Sequence, residues 1–158
     1  MKKINQSVIA KICLWLGIGL LMAAAAAAVI WQNGIRTAQE KAQAYVQTIR
    51  TLIPEPQSAV PEARLENTMS VLAVDGKDFV GILEMPGYGS ALPVCAEWGK
   101  PSKYPCSLSG SIYDRTLQIG ATTQKGQYEF YRSISVGDTV CFTDVEGNRY
   151  TLGVTALN

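Results

Sequence analysis

Histidine is absent from this sequence of 158 residues. Without an imidazole the chain cannot form a Ser–His–Asp triad, a Cys–His dyad or a histidine metal site. Charged residues are also sparse, at 17%. Residues 1–53 hold six basic and one acidic residue, a net +5, whereas residues 54–158 hold eight basic and twelve acidic residues, a net −4. The acidic C-terminal part lacks the concentrated basic face that nucleic acid requires, so we expect no nucleic-acid partner.

The length allows one modest domain with an appendage and excludes a large multidomain enzyme. Residues 12–31 form a run of 20 residues without a charge, and a helix of this length covers about 30 Å, the thickness of the hydrocarbon core. Three lysines in residues 1–11 predict a cytoplasmic N-terminus, a single-pass anchor in the cell membrane and an extracytoplasmic remainder. The alternatives are a cleaved signal peptide, since alanines at 23–28 offer cleavage sites, and a buried soluble helix. We favour the anchor because apolar residues resume at 29–31.

A helical pattern continues over residues 32–53, with apolar residues at three- and four-residue steps and polar residues on the opposite face. We interpret this juxtamembrane helix as a solvated stalk. The alternative is a face that packs on the domain or on a second copy of the chain. Pro54, Pro56 and Pro61 then end the helix and predict a linker over residues 54–67.

Residues 68–158 predict a mainly β domain, because short apolar runs alternate with turn residues. Gly76 and Gly147 lie in turns that would join two hairpins, and residues 87–93 and 99–105 are interpreted as connections. The predicted strands are 69–74, 79–85, 115–122, 138–144 and 148–156. The residues expected in the core are Ile82, Leu83, Leu92, Val94, Leu117, Ile119, Val140, Phe142, Tyr150, Leu152 and Val154.

Four cysteines carry the remaining chemistry. Cys13 lies in the membrane run and is expected to act as a small apolar residue. Cys95 and Cys106 form a disulfide candidate in an oxidising compartment, with two reduced, half-buried thiols as the alternative. Cys141 lies within a strand as core filler, and a catalytic role would need a neighbouring base or cation to lower its pKa. The spacings match no zinc pattern, so we expect no metal, and nothing in the sequence indicates a cofactor.

Taken in order, several motifs resemble those of sortases, specifically the class B-like members. Residues 79–86 resemble an opening strand of the form x-x-G-x-L-x-I-P, and residues 91–98 contain L-P-V and E-W elements. Residues 105–113 resemble a P-C-x-Y-S-G-S-x-Y run, with Leu108 in place of tyrosine. Residues 136–150 resemble a hairpin of the form G-D-x-V-x-F-T-D-x-x-G-N-x-Y.

This resemblance implies a β-barrel cysteine transpeptidase tethered on the outer face of a Gram-positive-type cell. In that family a Cys thiolate attacks a sorting-signal peptide, a His carries the proton and an Arg stabilises the oxyanion. The acyl group then passes to an amine of the cell wall or of a pilin. Thr122 stands at the family's His position, and a Thr hydroxyl cannot carry a proton near neutral pH. The family's Cys and Arg positions would lie beyond Asn158.

We therefore expect an incomplete sortase-like β-barrel that is catalytically inactive. An incomplete barrel would leave an open strand edge near residues 150–156, to which a surface protein or peptide could add a strand. The hypotheses are thus an inactive sortase-like protein, a surface binding module, or an unrelated extracytoplasmic β domain. Trp98 is interpreted as a loop anchor, with the wall of a substrate groove as the alternative.

Overall fold

The computed structural model divides the chain into two compact units, Met1–Thr37 and Ala38–Asn158. The described part of the first unit is helical, and the second unit contains the end of a helix and a β-sheet. Side chains are described from residue 11 onward. The residues that the structure describes are 6–62, 67–98, 104–121 and 133–157.

A single long helix, α1, spans Gln6–Leu52. Leucine, methionine and alanine, which have high helix propensity, fill residues 20–28. The helix ends just before Pro54, because the residue preceding a proline is disfavoured in the helical conformation and proline lacks an N–H donor. Within Lys11–Leu52 the helix is long and apolar enough to cross a membrane, and its apolar window is not buried in the protein. A helix with the length and composition of the predicted anchor is therefore present; a signal sequence at this end of the chain would have the same character.

Eight strands follow the helix in the described residues, and a short 3-10 helix at Pro86–Tyr88 joins two of them. The strands are β1 (Gln57–Ser58), β2 (Leu72–Val74), β3 (Lys77–Met85), β4 (Ser90–Cys95), β5 (Cys106–Ser109), β6 (Gln118–Gly120), β7 (Thr139–Asp144) and β8 (Asn148–Gly153).

The strands form one mixed sheet with the order β1-β8-β7-β3-β4-β5-β6, and β2 also pairs with β3. Strand β3 lies at the centre, where Leu83 is the register partner of Leu92 on one side and of Phe142 on the other. The β1–β8 and β4–β5 pairs are parallel, and the other pairs are antiparallel. Among the described residues the sheet stays open and does not close into a barrel. The second unit is thus mainly β, as the sequence predicts.

Two tight turns lie where the sequence places them. Between β2 and β3, Asp75 and Gly76 have φ angles of 49° and 70°, a backbone twist of the kind that suits a two-residue hairpin. Between β7 and β8, Gly147 has a φ of 85°, and a Cβ added there would lie 3.1 Å from Pro54. Both predictions of turn glycines are confirmed.

The C-terminal part of α1 packs onto one face of the sheet. Val46 and Ile49 are 0% exposed and belong to the same apolar cluster as Phe79 and Ile82. Full burial of such a side chain contributes about 1.5–3 kcal/mol. The segment from Ala38 onward is therefore a packing face of the domain, and the interpretation of it as a solvated stalk is wrong.

The opposite face carries a second apolar cluster. Its buried members are Met69, Val80, Val94, Ile112, Tyr113, Phe142 and Tyr150. Of the residues predicted in the core, the buried ones are Ile82, Leu92, Val94, Phe142 and Tyr150, and the half-buried ones are Leu83, Leu117, Ile119, Val140 and Val154. The prediction for Leu152 is wrong, because this side chain is 39% exposed on the part of β8 that has β7 on one side only among the described strands.

Three strands form where the sequence analysis predicts none. Strand β1 lies inside the segment predicted as a linker, and β4 begins inside the predicted connection at 87–93. Strand β5 follows the predicted connection at 99–105. A strand of two residues and a polar strand of four residues carry too little alternation to be recognised by their pattern.

Candidate functional site

The three adjacent strands β3, β7 and β8 bring polar side chains together on the sheet face that α1 covers. Glu84 of β3 is the register partner of Cys141 of β7, and Cys141 is in turn the partner of Thr151 of β8. Register partners point to the same face of a sheet. Alternation along β3 places Glu84 on the face of Ile82, which packs with α1.

The neighbouring row of the same face adds a cation. Thr143 of β7 is the register partner of Ile82 on one side and of Arg149 on the other. Because the Arg149 side chain is long, it reaches diagonally to the row that contains Glu84 and Cys141. A carboxylate, a thiol and a guanidinium therefore meet on this face.

Glu84 forms two ion pairs at once. Its Oε2 atom lies 3.0 Å from Nη2 of Arg149, and its Oε1 atom pairs with Nη2 of Arg50 near the end of α1. The Glu84 side chain is 14% exposed, whereas Arg50 and Arg149 are 41% and 37% exposed. Pairs in contact with water contribute about 0–1 kcal/mol each, so this triad matters more for where it places its charges than for stability.

A cavity of about 300 Å³ lies beside the triad. Its lining is mixed: two arginines, a glutamate and a threonine supply polar groups, and two isoleucines and a proline supply apolar ones. The lining residues are Arg50, Ile53, Pro56, Ile82, Glu84, Thr143 and Arg149.

Cys141 lies within this cluster, and the residue is only 4% exposed. A side-chain hydrogen bond between Arg149 and Cys141 raises the pKa of Arg149, burial opposes the rise, and the charge of Glu84 adds to it. The Cys141 Sγ atom also lies 3.8 Å from Oγ1 of Thr151. Arg149 is thus a cation close to Cys141, and Cys141 as a whole residue is buried.

The sequence analysis also singled out Thr122, Cys95, Cys106 and Trp98. Thr122 lies outside the described residues. Cys95 and Cys106, eleven positions apart in the sequence, are register partners of β4 and β5, and both are present as thiols. Cys106 is fully buried, whereas Cys95 is half-buried. Trp98 is 46% exposed, so its indole is not enclosed by the described part of the domain.

Motif residues around Ser111 build a turn. The carbonyl oxygen of Ser111 accepts hydrogen bonds from the N–H groups of Thr116 and Leu117, each at 3.0 Å. Its hydroxyl accepts one from the N–H of Tyr113 at 3.2 Å. Gly110 has a φ of 74°, and a Cβ there would lie only 2.2 Å from the Thr116 carbonyl oxygen. The S-G-S-x-Y motif therefore has a structural role here.

Motif residue Asp138 has a similar role at the start of the second hairpin. Its Oδ2 atom accepts hydrogen bonds from the Ser135 N–H and from the Tyr88 hydroxyl, both at 2.7 Å. The Ser135 N–H, and then the Tyr88 hydroxyl, lower the pKa of the Asp138 carboxyl. The bond to Asp138 raises the pKa of Tyr88.

Sequence reasoning did not single out Arg50 or Glu84. The one available indication was Glu84 itself, an acidic residue within the apolar run of β3 and in alternation with Ile82. Its partners could not be identified from the pattern, because Arg50 is 34 positions away along the chain.

Within the described part of the chain, no group of three or more His, Cys, Asp or Glu side chains is arranged to hold a metal ion. Comparison with known proteins gives no match, whether with family models, with curated proteins or with solved structures.

Proposed function

We propose that this chain is a membrane-anchored, extracytoplasmic protein of the sortase kind that does not itself catalyse transpeptidation. The ordered motifs support the sortase kinship, and an open, mainly β sheet that follows an apolar helix along the chain is compatible with it. The observation that carries the lack of activity is the enclosure of Cys141, at 4% exposure, in a chain without histidine.

The chemistry behind this proposal is proton transfer. A thiol that attacks a peptide carbonyl must first lose its proton, and the leaving amine must then gain one. Arg149 beside Cys141 is a cation that stays protonated and cannot exchange protons near neutral pH. Thr122, at the family's His position, has no titrating group either. The cluster can hold charge, but it cannot complete an acyl transfer.

The test is an activity assay on the full chain in detergent micelles. A fluorogenic sorting-signal peptide, with an amine nucleophile present, should be neither cleaved nor transferred, and an active sortase serves as the positive control. The Cys141→Ala variant should behave like the original chain. A covalent acyl adduct on Cys141, detected by mass spectrometry and lost in that variant, would overturn the proposal.

The topology of the anchor is tested separately. Lysines before the apolar run support a cytoplasmic N-terminus. In intact cells, protease added outside should therefore degrade the β unit, while a tag fused before Met1 stays protected. Protection of the β unit would show that the orientation is the opposite one. Secretion of the β unit into the medium would show that the apolar N-terminal segment is a cleaved signal peptide.

A second candidate function is peptide binding by strand addition at the edge of β8. Strand β1 covers only the start of this edge: the N–H groups of Gln57 and Ala59 donate to the carbonyl oxygens of Gly147 and Arg149. Since N–H and C=O groups of alternate residues point to the same side of a strand, Thr151 also presents its backbone groups outward. No other described strand covers that position.

The outward orientation of Thr151 allows a sharp experiment. Thr151→Pro removes an outward N–H donor but leaves the ladder to β7 intact, and an edge strand tolerates proline. Thr151→Val keeps the N–H group and is the matched control. Peptides selected for binding to the full chain should lose affinity for the proline variant and keep it for the valine variant. Equal binding to both variants would exclude this edge.

A further inference from the structure

The cavity beside Glu84 combines features that are usual for recognition of a small anion with an apolar body. We propose that it binds an aliphatic monocarboxylate, held by Arg50 and Arg149 with its hydrocarbon part on Ile53 and Pro56. That chemistry has two sources: a free branched-chain acid, or the C-terminus of a peptide ending in an aliphatic residue. The inference does not depend on kinship with sortases, because it rests only on the side chains that line the cavity.

The two arginines supply the recognition groups. Each guanidinium carries five N–H donors in a planar fork that matches a carboxylate. Glu84 engages Nη2 of each with a different oxygen atom. The Arg50 side chain is 41% exposed and the Arg149 side chain is 37% exposed, and both residues line the cavity. A bound carboxylate would form charge-assisted hydrogen bonds, which are among the stronger ones in proteins.

The local charge favours one negative charge over two. Two guanidinium groups and the Glu84 carboxylate give the triad a net +1. A monocarboxylate neutralises this charge, whereas a dianion such as phosphate leaves a surplus charge beside Glu84, and like charges at this distance repel. The triad therefore discriminates by charge.

The remaining walls favour a hydrocarbon body. Ile53 and Pro56 lie in the segment after α1, and Ile82 lies on the central strand β3. A volume of about 300 Å³ is at the small end of ligand pockets. The site therefore suits a short branched chain better than a long or flat one.

The recognition groups come from elements that hold them in place. Arg50 lies on α1, Glu84 on the central strand β3, and Arg149 on β8. The ion pair with Glu84, 3.0 Å between Nη2 and Oε2, holds the Arg149 guanidinium from the protein side. Groups on helices and strands keep their geometry better than groups on loops, which lowers the entropic cost of binding.

Binding is measured by titration calorimetry on the full chain in detergent micelles, with 4-methylpentanoate as the probe. Arg50→Gln should weaken binding about tenfold, the lower end of the effect of a hydrogen bond to a charged group because this arginine is half exposed. Lys41→Gln is the matched control: it removes one positive charge from an exposed position of the same helix that does not line the cavity, and it should leave affinity unchanged.

Glu84→Gln separates recognition from a structural role. This change removes the carboxylate that competes for both arginines, so it should tighten binding of the probe, whereas a change that merely damaged the fold would weaken it. Arg149→Gln should weaken binding about tenfold as well. If Arg149→Gln fails to fold by circular dichroism, then Arg50→Gln, which alters an exposed helix position, decides the matter together with Glu84→Gln.

Neutral and peptide probes complete the test. The isosteric 4-methylpentanamide and inorganic phosphate should bind more weakly than the acid. A short peptide ending in leucine, compared with its C-terminal amide, distinguishes the sources: binding of the free peptide alone assigns a chain terminus, and binding of the small acid alone assigns a metabolite-sized ligand. Equal affinity for acid and amide, unchanged affinity in Arg50→Gln, or no saturable binding of any carboxylate at millimolar concentration would overturn the proposal.

Discussion

The Oδ1 atom of Asp144 accepts a hydrogen bond from the backbone N–H of Asn148 at 2.8 Å. The same oxygen accepts the N–H of Glu146 at 2.9 Å, and Oδ2 accepts the Asn148 side-chain amide at 2.9 Å. One carboxylate, only 1% exposed, thus holds the turn that joins β7 to β8. This turn sets the register between β7 and β8, and that register aligns Arg149 with Glu84 and Arg50.

We expect Asp144→Ala to lower the free energy of unfolding by about 3 kcal/mol, because it leaves donors of the turn without their acceptor in a buried place. Asp144→Asn keeps one oxygen acceptor and should lose about half as much. Urea titration of the detergent-solubilised chain, followed by circular dichroism, measures both. An unchanged denaturation midpoint in the alanine variant would show that the backbone alone holds this turn.

Gly81 in the centre of β3 is expected to tolerate no side chain. A Cβ there would lie 2.2 Å from the Thr143 carbonyl oxygen, which belongs to the backbone of β7 and cannot move aside. Gly81→Ala should therefore cost about 3 kcal/mol of stability. Gly153→Ala is the matched control within the same sheet, because its Cβ would meet nothing within 4 Å; its effect should stay within about 0.5 kcal/mol. The same urea titration compares them, and equal losses would contradict the argument.

The two hairpins could be predicted because their determinants are local. Asp75 and Gly76 mark a turn by their residue types, and the apolar alternation on either side defines the strands. Strand β4 was missed because Pro93 argues against a strand. The Cys95 N–H points toward β5 and donates to the Pro105 carbonyl oxygen. Backbone groups of alternate residues point to the same side of a strand, so the position at which Pro93 lacks an N–H also faces the β5 side. At Pro93 that side carries no ladder partner, since β5 pairs with β4 only at Cys95.

The candidate site depends on contacts that no local pattern contains. The periodicity of α1 identifies an apolar face, and both a stalk and a packing face satisfy it. What decides between them is the sheet face presented by Phe79 and Ile82, which exists only after the strands have assembled. The meeting of Arg50 with Glu84 requires both the position of the helix on the sheet and the register of β3. The sequence analysis therefore identified neither Arg50 nor Glu84 as members of the site, because their grouping is a product of tertiary packing.

Cys95 and Cys106 are expected to form a disulfide when the protein is oxidised. Register partners on neighbouring parallel strands have Cα atoms about 4.8 Å apart, within the range of about 4.4–6.8 Å that disulfides span. The bridge would close a short loop and stabilise the domain by roughly 2–3 kcal/mol. Mass spectrometry of the Cys13→Ser chain after mild oxidation should find the linked peptides, and a reductant should lower the thermal midpoint.

Two variants test the expected Cys95–Cys106 disulfide. Cys106→Ser should abolish the linked peptides and make the thermal midpoint insensitive to reductant, whereas Cys141→Ser should leave both results unchanged. If oxidation links Cys141 to either residue, or links none, the register of β4 and β5 does not bring the two sulfur atoms within bonding reach.

The contact between Tyr88 and Asp138 is expected to make stability depend on pH at both ends of the scale. The Ser135 N–H and the Tyr88 hydroxyl lower the pKa of Asp138 below its usual 3.8. A lowered carboxyl pKa means that the contribution is complete above the unfolded value and is lost as the pH falls through the folded value. The hydrogen bond to Asp138 raises the pKa of Tyr88 above its usual 10.0. That contribution is complete below the unfolded value and is lost as the pH rises through the folded value.

The two ends can be separated by two variants. Asp138→Asn should flatten the fall of thermal stability below about pH 4, and Tyr88→Phe should flatten the fall above about pH 10, because each removes one titrating partner. Tyr88→Phe should also weaken the acid-side dependence, since its hydroxyl is the second cause of the lowered Asp138 pKa; the Ser135 N–H keeps part of it. Thermal midpoints recorded across the pH range measure these slopes. Because both side chains border solvent, the effects should be modest and should diminish with added salt, and a pH profile of the Asp138→Asn chain identical to the original on the acid side would refute the assignment.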